Sequence, residues 1–529
     1  MENAMDMNIA TVAVALAVQS LAPGPDSEPA VRMIAADLAG PSQPMNRAYR
    51  VCVGAGRANE GLRADWQQQL AEVRRELGFE YIRFHGLFHE DMGVCRRDPK
   101  SGALQFNWQY VDALFDFLLS IGMKPFVELS FMPKPLASGT QTVFWWQGNV
   151  TPPKQMDEWA ALVRDFTEHV TARYGADEVR TWYFEVWNEP NHNYFWSGTQ
   201  EQYFELYRAS AAAVKGVDPA YRVGGPSTAG CGWIQELAAF CAKENVPLDF
   251  FSTHTYNVKG ALDEFGMQQQ RLMDDVRHVG KDFRRVRAQI EKTAFAGREL
   301  HFTEWSASYS SRDPVHDDYF SAPFILEQLK VGGDAAQSMS YWVFTDIFEE
   351  SGIPMKPFHG GFGLMNLQGI KKTAYWAYAF LQRLGDRAYA TEDVSSWVCA
   401  DDGGGAQILF WDLAHPFPDG KTVNQQGFIK ERPSAVRGPV ALQLAGLKPG
   451  RYRVEEYRAG YGVNDPYSRY LAMGAPARLT RSQVAELKAL STGAPTHEHE
   501  THVGADGVWR GRALLRENDV VLVKLTPQR

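Results

Sequence analysis

The stretch Thr181-Trp182-Tyr183-Phe184-Glu185-Val186-Trp187-Asn188-Glu189-Pro190 opens as a β-branched and aromatic run and closes on an amide, a carboxylate and a proline. The first six residues read as a strand. The run Leu300-His301-Phe302-Thr303-Glu304-Trp305 has the same design, an apolar strand that ends on a glutamate between bulky neighbours. Working outward from these two, short β-rich runs occur at 49–53, 81–84, 124–129, 181–186, 222–224, 250–253, 300–303 and 338–343, with amphipathic stretches between them. The clearest of these stretches places Val111, Leu114, Phe115, Leu118 and Leu119 on one helical face, with Asn107 to cap its start and Gly122 to end it. Strand and helix alternating eight times predict an α/β fold, a (β/α)8 TIM barrel with enlarged loops.

Beyond about residue 385 the pattern changes to short strand-like runs at 407–413, 440–444, 452–457 and 520–525, punctuated by Gly, Pro and Asp. These predict an accessory all-β sandwich, to which the run 30–36 offers one more strand. The expected organisation is an N-terminal extension (1–29), a strand and linker (30–47), the barrel (48–385) and a C-terminal β-sandwich domain (386–529). The length of 529 residues agrees with two units, because a single core rarely exceeds roughly 300 residues.

Composition narrows the partners. With 54 basic and 63 acidic residues the net charge is −9, and no basic run is present, which excludes a nucleic-acid partner. The five cysteines, Cys52, Cys95, Cys231, Cys241 and Cys399, form no close pairs and read as free thiols. The apolar run 9–21 is shorter than the ~20 residues a membrane helix needs. It has the length of an export signal and a small-x-small end at Ser20-Leu21-Ala22, but Glu2 and Asp6 precede it without a positive charge. A cytoplasmic location is expected, with periplasmic or secreted as the alternative. Nothing in the sequence marks the oligomeric state.

In such a barrel the chemistry lies at the carboxyl ends of the strands. Glu189 and Glu304 end strands four and seven, on opposite sides of the ring, where they can face each other. A lone glutamate there is ordinarily a solvated loop residue. A facing pair is what cleavage of a glycosidic bond requires, one acid to protonate the leaving oxygen and one carboxylate to attack or to activate water. Other strand ends add Arg83 and His85, His254 and Tyr256, and Trp342 and Phe344.

Trp187-Asn188-Glu189-Pro190 with a second glutamate at strand seven resembles clan A of the glycoside hydrolases. His85-Gly86-Leu87, Met132-Pro133, Leu136-Ala137-Ser138-Gly139-Thr140, Ser252-Thr253-His254-Thr255-Tyr256, Pro314-Val315-His316-Asp317 and Phe358-His359-Gly360-Gly361-Phe362-Gly363 together resemble glycoside hydrolase family 39. Within that family the chain is most similar to bacterial β-xylosidases. The resemblance implies an exo-acting, retaining enzyme that releases terminal β-D-xylose from xylo-oligosaccharides or aryl and alkyl β-xylosides. It implies Glu304 as nucleophile and Glu189 as acid/base, with Tyr256 and His254 orienting Glu304. Asn188 would bond the hydroxyl beside the anomeric carbon, and His85 other sugar hydroxyls. Trp342 would form a stacking floor, and Glu349 and Glu350 would take the hydroxyls farthest from the cleaved bond. No metal or organic cofactor is implied, because two carboxylates suffice for the reaction.

Several features carry competing readings. Phe144, Trp145 and Trp146 can wall the pocket or cover a helix end, since both bury apolar surface. Gly54-Ala55-Gly56 begins like a dinucleotide fingerprint, but Asn59 stands where the third glycine is needed. His497-Glu498-His499-Glu500-Thr501-His502 lacks zinc-site spacing and reads as a solvated polar loop. Glu128 and Glu185, within strands, are expected to pair with Arg83 or another base. The alternatives in function are an α-L-iduronidase, which needs a cation where Glu349 and Glu350 stand, α-L-arabinosidase activity, and a sugar-binding barrel, which needs no carboxylate pair.

Overall fold

A computed structural model describes residues 31–528. Eight parallel strands close into a barrel in sequence order: β1 (Cys52–Arg57), β2 (Tyr81–His85), β3 (Lys124–Leu129), β4 (Tyr183–Val186), β5 (Arg222–Thr228), β6 (Phe250–Tyr256), β7 (Glu299–Ser306) and β8 (Ser338–Tyr341). Tyr341 pairs with Val53 to complete the ring. All eight predicted strands are present. The first begins later than expected, because 48–50 form a 3-10 turn. Strands β5, β6 and β7 run further into the mouth, through polar residues that hide the strand pattern.

The helix over Gln109–Ser120 buries Val111, Leu114, Phe115 and Leu118. Asn107 accepts the Gln109 amide at 3.4 Å, one position before the N-cap Trp108, and Gly122 ends the turn at φ 73°, a conformation glycine adopts without strain.

Inside the barrel the side chains stack in layers. At the amino-terminal end Phe126, Tyr183 and Phe250 pack with Cys52, their ring centroids 4.8–5.6 Å apart. Above them the layer is ionic. Arg83, fully buried, reaches Glu128 Oε2 at 2.6 Å and Glu185 Oε2 at 2.7 Å. The two strand glutamates therefore pair with Arg83, as the sequence suggests, and the same guanidinium reaches Glu304 above them.

A seven-stranded and a three-stranded sheet form the sandwich around Ile34, Val398, Ile408, Phe410, Leu442, Val454 and Val523. The N-terminal strand, Arg32–Asp37, pairs in parallel with Val436–Ala445. The residues after it, Ser42–Pro44, join the larger sheet beside Arg387–Tyr389. The tract expected as a polar loop is the edge strand His497–Val503, paired on one side with Gly450–Ala459. Its exposed charged side chains give no apolar alternation to read, and such side chains protect a sheet edge from further pairing. Helices Pro466–Ala472 and Arg481–Leu490 interrupt the strands and cover Phe358 and Ile370.

All five cysteines are free; four are buried and Cys95 is partly exposed. The apolar run 9–21 lies outside the described residues. Among those described, no helix is long and apolar enough to cross a membrane.

The loops after β7 and β8 are tied together beneath the mouth. Lys372, fully buried, places Nζ 2.6 Å from Asp317 Oδ1 and 2.7 Å from Asp346 Oδ2, and donates to Gly361 O at 2.8 Å. Replacing it by methionine strands two buried carboxylates. The expected cost for Lys372→Met is about 3–5 kcal/mol in urea unfolding, and a loss below about 1 kcal/mol would show that the cluster does not hold the loops.

Candidate active site

The backbone at the end of β4 is unusual. Trp187 and Glu189 have φ of 71° and 44°, values that side-chain-bearing residues rarely adopt. The surroundings hold them there. Trp187 is buried against Phe131, Trp159 and Trp196 and donates Nε1–H to Phe195 O at 2.7 Å. The Glu189 amide donates to Ser227 O at 2.8 Å, and its carbonyl accepts from the His192 amide at 2.9 Å. The turn thus projects a carboxylate inward from the ring.

Glu304 faces it from β7. Its Oε2 accepts the Tyr256 hydroxyl at 2.6 Å and its Oε1 accepts Arg83 Nη1–H at 2.5 Å. Glu189, His254 and Glu304 each bring one oxygen or nitrogen within 4.8 Å of the other two. An approach this close between one oxygen of each carboxylate agrees with the pair of a retaining glycosidase, whose carboxyl groups stand ~5–5.5 Å apart. The three lie close enough to share a cation, but Arg83 already brings positive charge to Glu304 and would repel another.

Burial pushes Glu189 well above the ordinary carboxylate range, and the charge of Glu304 pushes it further. Burial raises Glu304 as well, but Arg83, His85 and the Tyr256 hydroxyl pull it back. When the pair holds one proton, these partners assign it to Glu189.

His254 departs from its expected place. Its Nδ1 lies 2.8 Å from Glu189 Oε1 and 3.6 Å from Glu304 Oε2, so its hydrogen bond goes to Glu189 and not to Glu304. Burial, followed by the charges of Arg83 and His85, depresses its pKa, which keeps the ring neutral. A neutral imidazole can donate to an ionised Glu189 or accept from a protonated one.

Asn188 Oδ1 accepts Arg83 Nη2–H at 2.9 Å, which fixes the amide beside both carboxylates. His85 holds Glu128 Oε2 2.8 Å from Nδ1, while its Nε2 lies 3.6 Å from both Glu304 Oε1 and Glu350 Oε1. Burial opposes a charge on this ring, but Glu128 outweighs it, helped by Glu350 and Glu304, and raises the imidazole to about 10. Trp342 lies 4.9 Å from the His85 ring and beneath the Arg83 guanidinium. A Cβ on Gly54 would lie 2.4 Å from Trp342, so this glycine of the false fingerprint makes room for the indole.

The three loop aromatics go separate ways. Phe144 stacks on His85 at 5.7 Å, Trp146 is buried against Phe131 and Phe144, and Trp145 is 57% exposed at the rim. Glu349 and Glu350, read together as hydroxyl ligands, also separate. The Glu349 carboxylate is engaged by Arg57 Nη2 at 2.6 Å and Arg63 Nη1 at 3.1 Å. Glu350 alone approaches His85, and burial pushes it up to about 7 against the pull of that ring.

Arg83 is the hub that sequence reading underrates. It was visible as a lone cation inside an apolar strand, but its partners lie on other strands and only the closed ring assembles them. Arg57 and Glu60 were not singled out at all.

Two carboxylates facing each other at the carboxyl ends of the fourth and seventh strands of a closed parallel barrel are the arrangement that glycoside hydrolysis uses. Comparison with known families makes this specific: the model for glycosyl hydrolases family 39 matches residues 32–509, and the chain belongs to that family. The chain is 42% identical to a Beta-xylosidase of Caldicellulosiruptor saccharolyticus, over 84% of this chain and 88% of the relative. It is 38% identical to a Beta-xylosidase of Geobacillus stearothermophilus, over 90% and 92%. Among solved structures, a monomeric beta-xylosidase from Caulobacter crescentus CB15 superposes with a TM-score of 0.90 at 43% identity, covering 94% of this chain and all of that one.

Proposed function

We propose that the protein is an exo-acting β-xylosidase that removes terminal β-D-xylose from xylo-oligosaccharides and simple β-xylosides with retention of configuration. The observation that carries the reaction type is the approach of Glu189 and Glu304 within 4.8 Å. The substrate class rests on the likeness to the two Beta-xylosidases.

Glu304, whose charged form Arg83 and Tyr256 favour, attacks the anomeric carbon while Glu189 passes its proton to the departing oxygen. Forming the glycosyl ester removes the charge of Glu304. The repulsion that helped raise Glu189 disappears with it, so Glu189 becomes a better-ionised group just when a base is needed to take a proton from water. Tyr256 and Arg83 are placed to hold the two oxygens of Glu304 through both steps. Asn188 is placed for the hydroxyl beside the anomeric carbon, where a hydrogen bond strengthens as positive charge develops. Phe144 and Trp342 pack on His85 and Glu350 approaches it, a group that at the far end of the bound sugar favours release of single terminal residues.

The test is a panel of aryl glycosides. The expected order in kcat/KM is β-D-xyloside above α-L-arabinoside, with α-L-iduronide not turned over, because its carboxylate would be brought against Glu350. Preference for the iduronide would overturn the substrate assignment.

A further inference from the structure

Glu60 is a buried carboxylate that the reaction does not use. It lies in the 3-10 turn over Ala58–Leu62 that follows β1 and is 1% exposed. Its Oε1 accepts the backbone N–H of Glu349 at 3.0 Å, and its Oε2 accepts that of Arg57 at 3.3 Å. A carboxylate removed from water needs its lone pairs met; burial, and then the charge of Glu349, push Glu60 up to about 8 against the pull of Arg57 Nε, 3.7 Å away, and of the two amides. Gly56 makes the space, since a Cβ there would lie 2.3 Å from Glu60 Oε2. The second glycine of the false fingerprint is thereby explained.

What Glu60 grips is the loop after β8. Residue 349 is fixed at its amide by Glu60 and at its carboxylate by Arg57 and Arg63. Arg57 is itself anchored on Asp91 Oδ2 at 2.7 Å. The next residue is fixed at its carbonyl, which accepts the Trp145 amide at 2.7 Å. With both ends of this step held, the Glu350 side chain extends toward His85, its Oε1 3.6 Å from Nε2. We propose that Glu60 is a positioning residue that sets the β8 loop so that Glu350, and not Glu349, meets the sugar hydroxyl farthest from the cleaved bond. It would thereby govern selectivity for that hydroxyl. The inference rests on the reading of Glu350 as a sugar ligand.

The test compares kcat and KM for an aryl β-D-xyloside and its 4-deoxy analogue. Glu60→Gln keeps the shape but turns a donor toward one of the two backbone amides. Its kcat/KM on the xyloside should fall about 10- to 100-fold, as for a catalytic or binding group displaced by roughly 1 Å, while the 4-deoxy substrate changes little. Arg63→Ala, at a side chain 41% exposed whose loss does not threaten folding, should shrink the same discrimination by a smaller factor. Adding Glu60→Gln to Glu350→Gln should produce no further loss of discrimination. Equal losses on both substrates, additive losses in the double variant, or undiminished discrimination in Arg63→Ala would overturn the proposal. If Glu350→Gln alone leaves discrimination untouched, the reading of Glu350 fails first, and that result is distinguishable from a failure at Glu60.

Discussion

Glu304→Ala is expected to lower kcat on an aryl β-xyloside by about 10⁴-fold or more, the scale on which loss of a covalent nucleophile registers. One of its oxygens comes within 4.8 Å of Glu189, and its two oxygens are held by Tyr256 and Arg83, a setting alanine leaves without a nucleophile. Folding should survive, because Arg83 keeps Glu128 and Glu185 as partners. Thermal unfolding followed alongside activity separates the two effects. A properly folded variant that retains turnover within about tenfold of the parent would remove Glu304 from the nucleophile role.

Glu189→Gln is expected to depend on the leaving group. With an alkyl xyloside, whose departing oxygen needs a proton, kcat/KM should fall about 10²–10⁴-fold. With a dinitrophenyl xyloside the first step needs no acid, so kcat/KM should be nearly preserved while kcat falls, because water attack has lost its base. Azide, a nucleophile that needs no base, should restore turnover. The pH profile follows from the same residue. Glu189 acts first as an acid, and burial and Glu304 raise its pKa, so activity on the alkyl substrate is present below that raised value and lost as pH climbs through it. The alkaline limb should be absent for the dinitrophenyl substrate in Glu189→Gln. Equal losses on both substrates would take the acid/base role away from Glu189.

The barrel was legible because parallel strands buried on both faces write themselves as apolar runs, and those of β3 and β4 survive almost to the residue. The ends were not. Ser227-Thr228, Thr255-Tyr256 and Trp305-Ser306 continue their strands into the mouth, where Ser227 turns to Arg83 and Tyr256 to Glu304 and the apolar run stops. The carboxylate pair could be read because strand number gives position around a ring. The partner of His254 could not, since strand order does not say whether an imidazole turns toward Glu189 or Glu304. Glu349 is drawn away from Glu350 by Arg57 and Arg63, far away in sequence at the end of β1 and just beyond it. Across the sandwich the missed edge strand His497–Val503 is polar because it is exposed, so burial never printed a pattern on it.

The most direct test of the central claim, a close carboxylate pair acting by double displacement, is the anomeric configuration of the first sugar released. Proton NMR in the opening minutes of hydrolysis of an aryl β-D-xyloside distinguishes the anomers before they equilibrate in water. The account predicts β-xylose first, with the α anomer growing in later. Initial release of α-xylose would mean a single displacement by water, which contradicts both the spacing assigned to Glu189 and Glu304 and the covalent role given to Glu304.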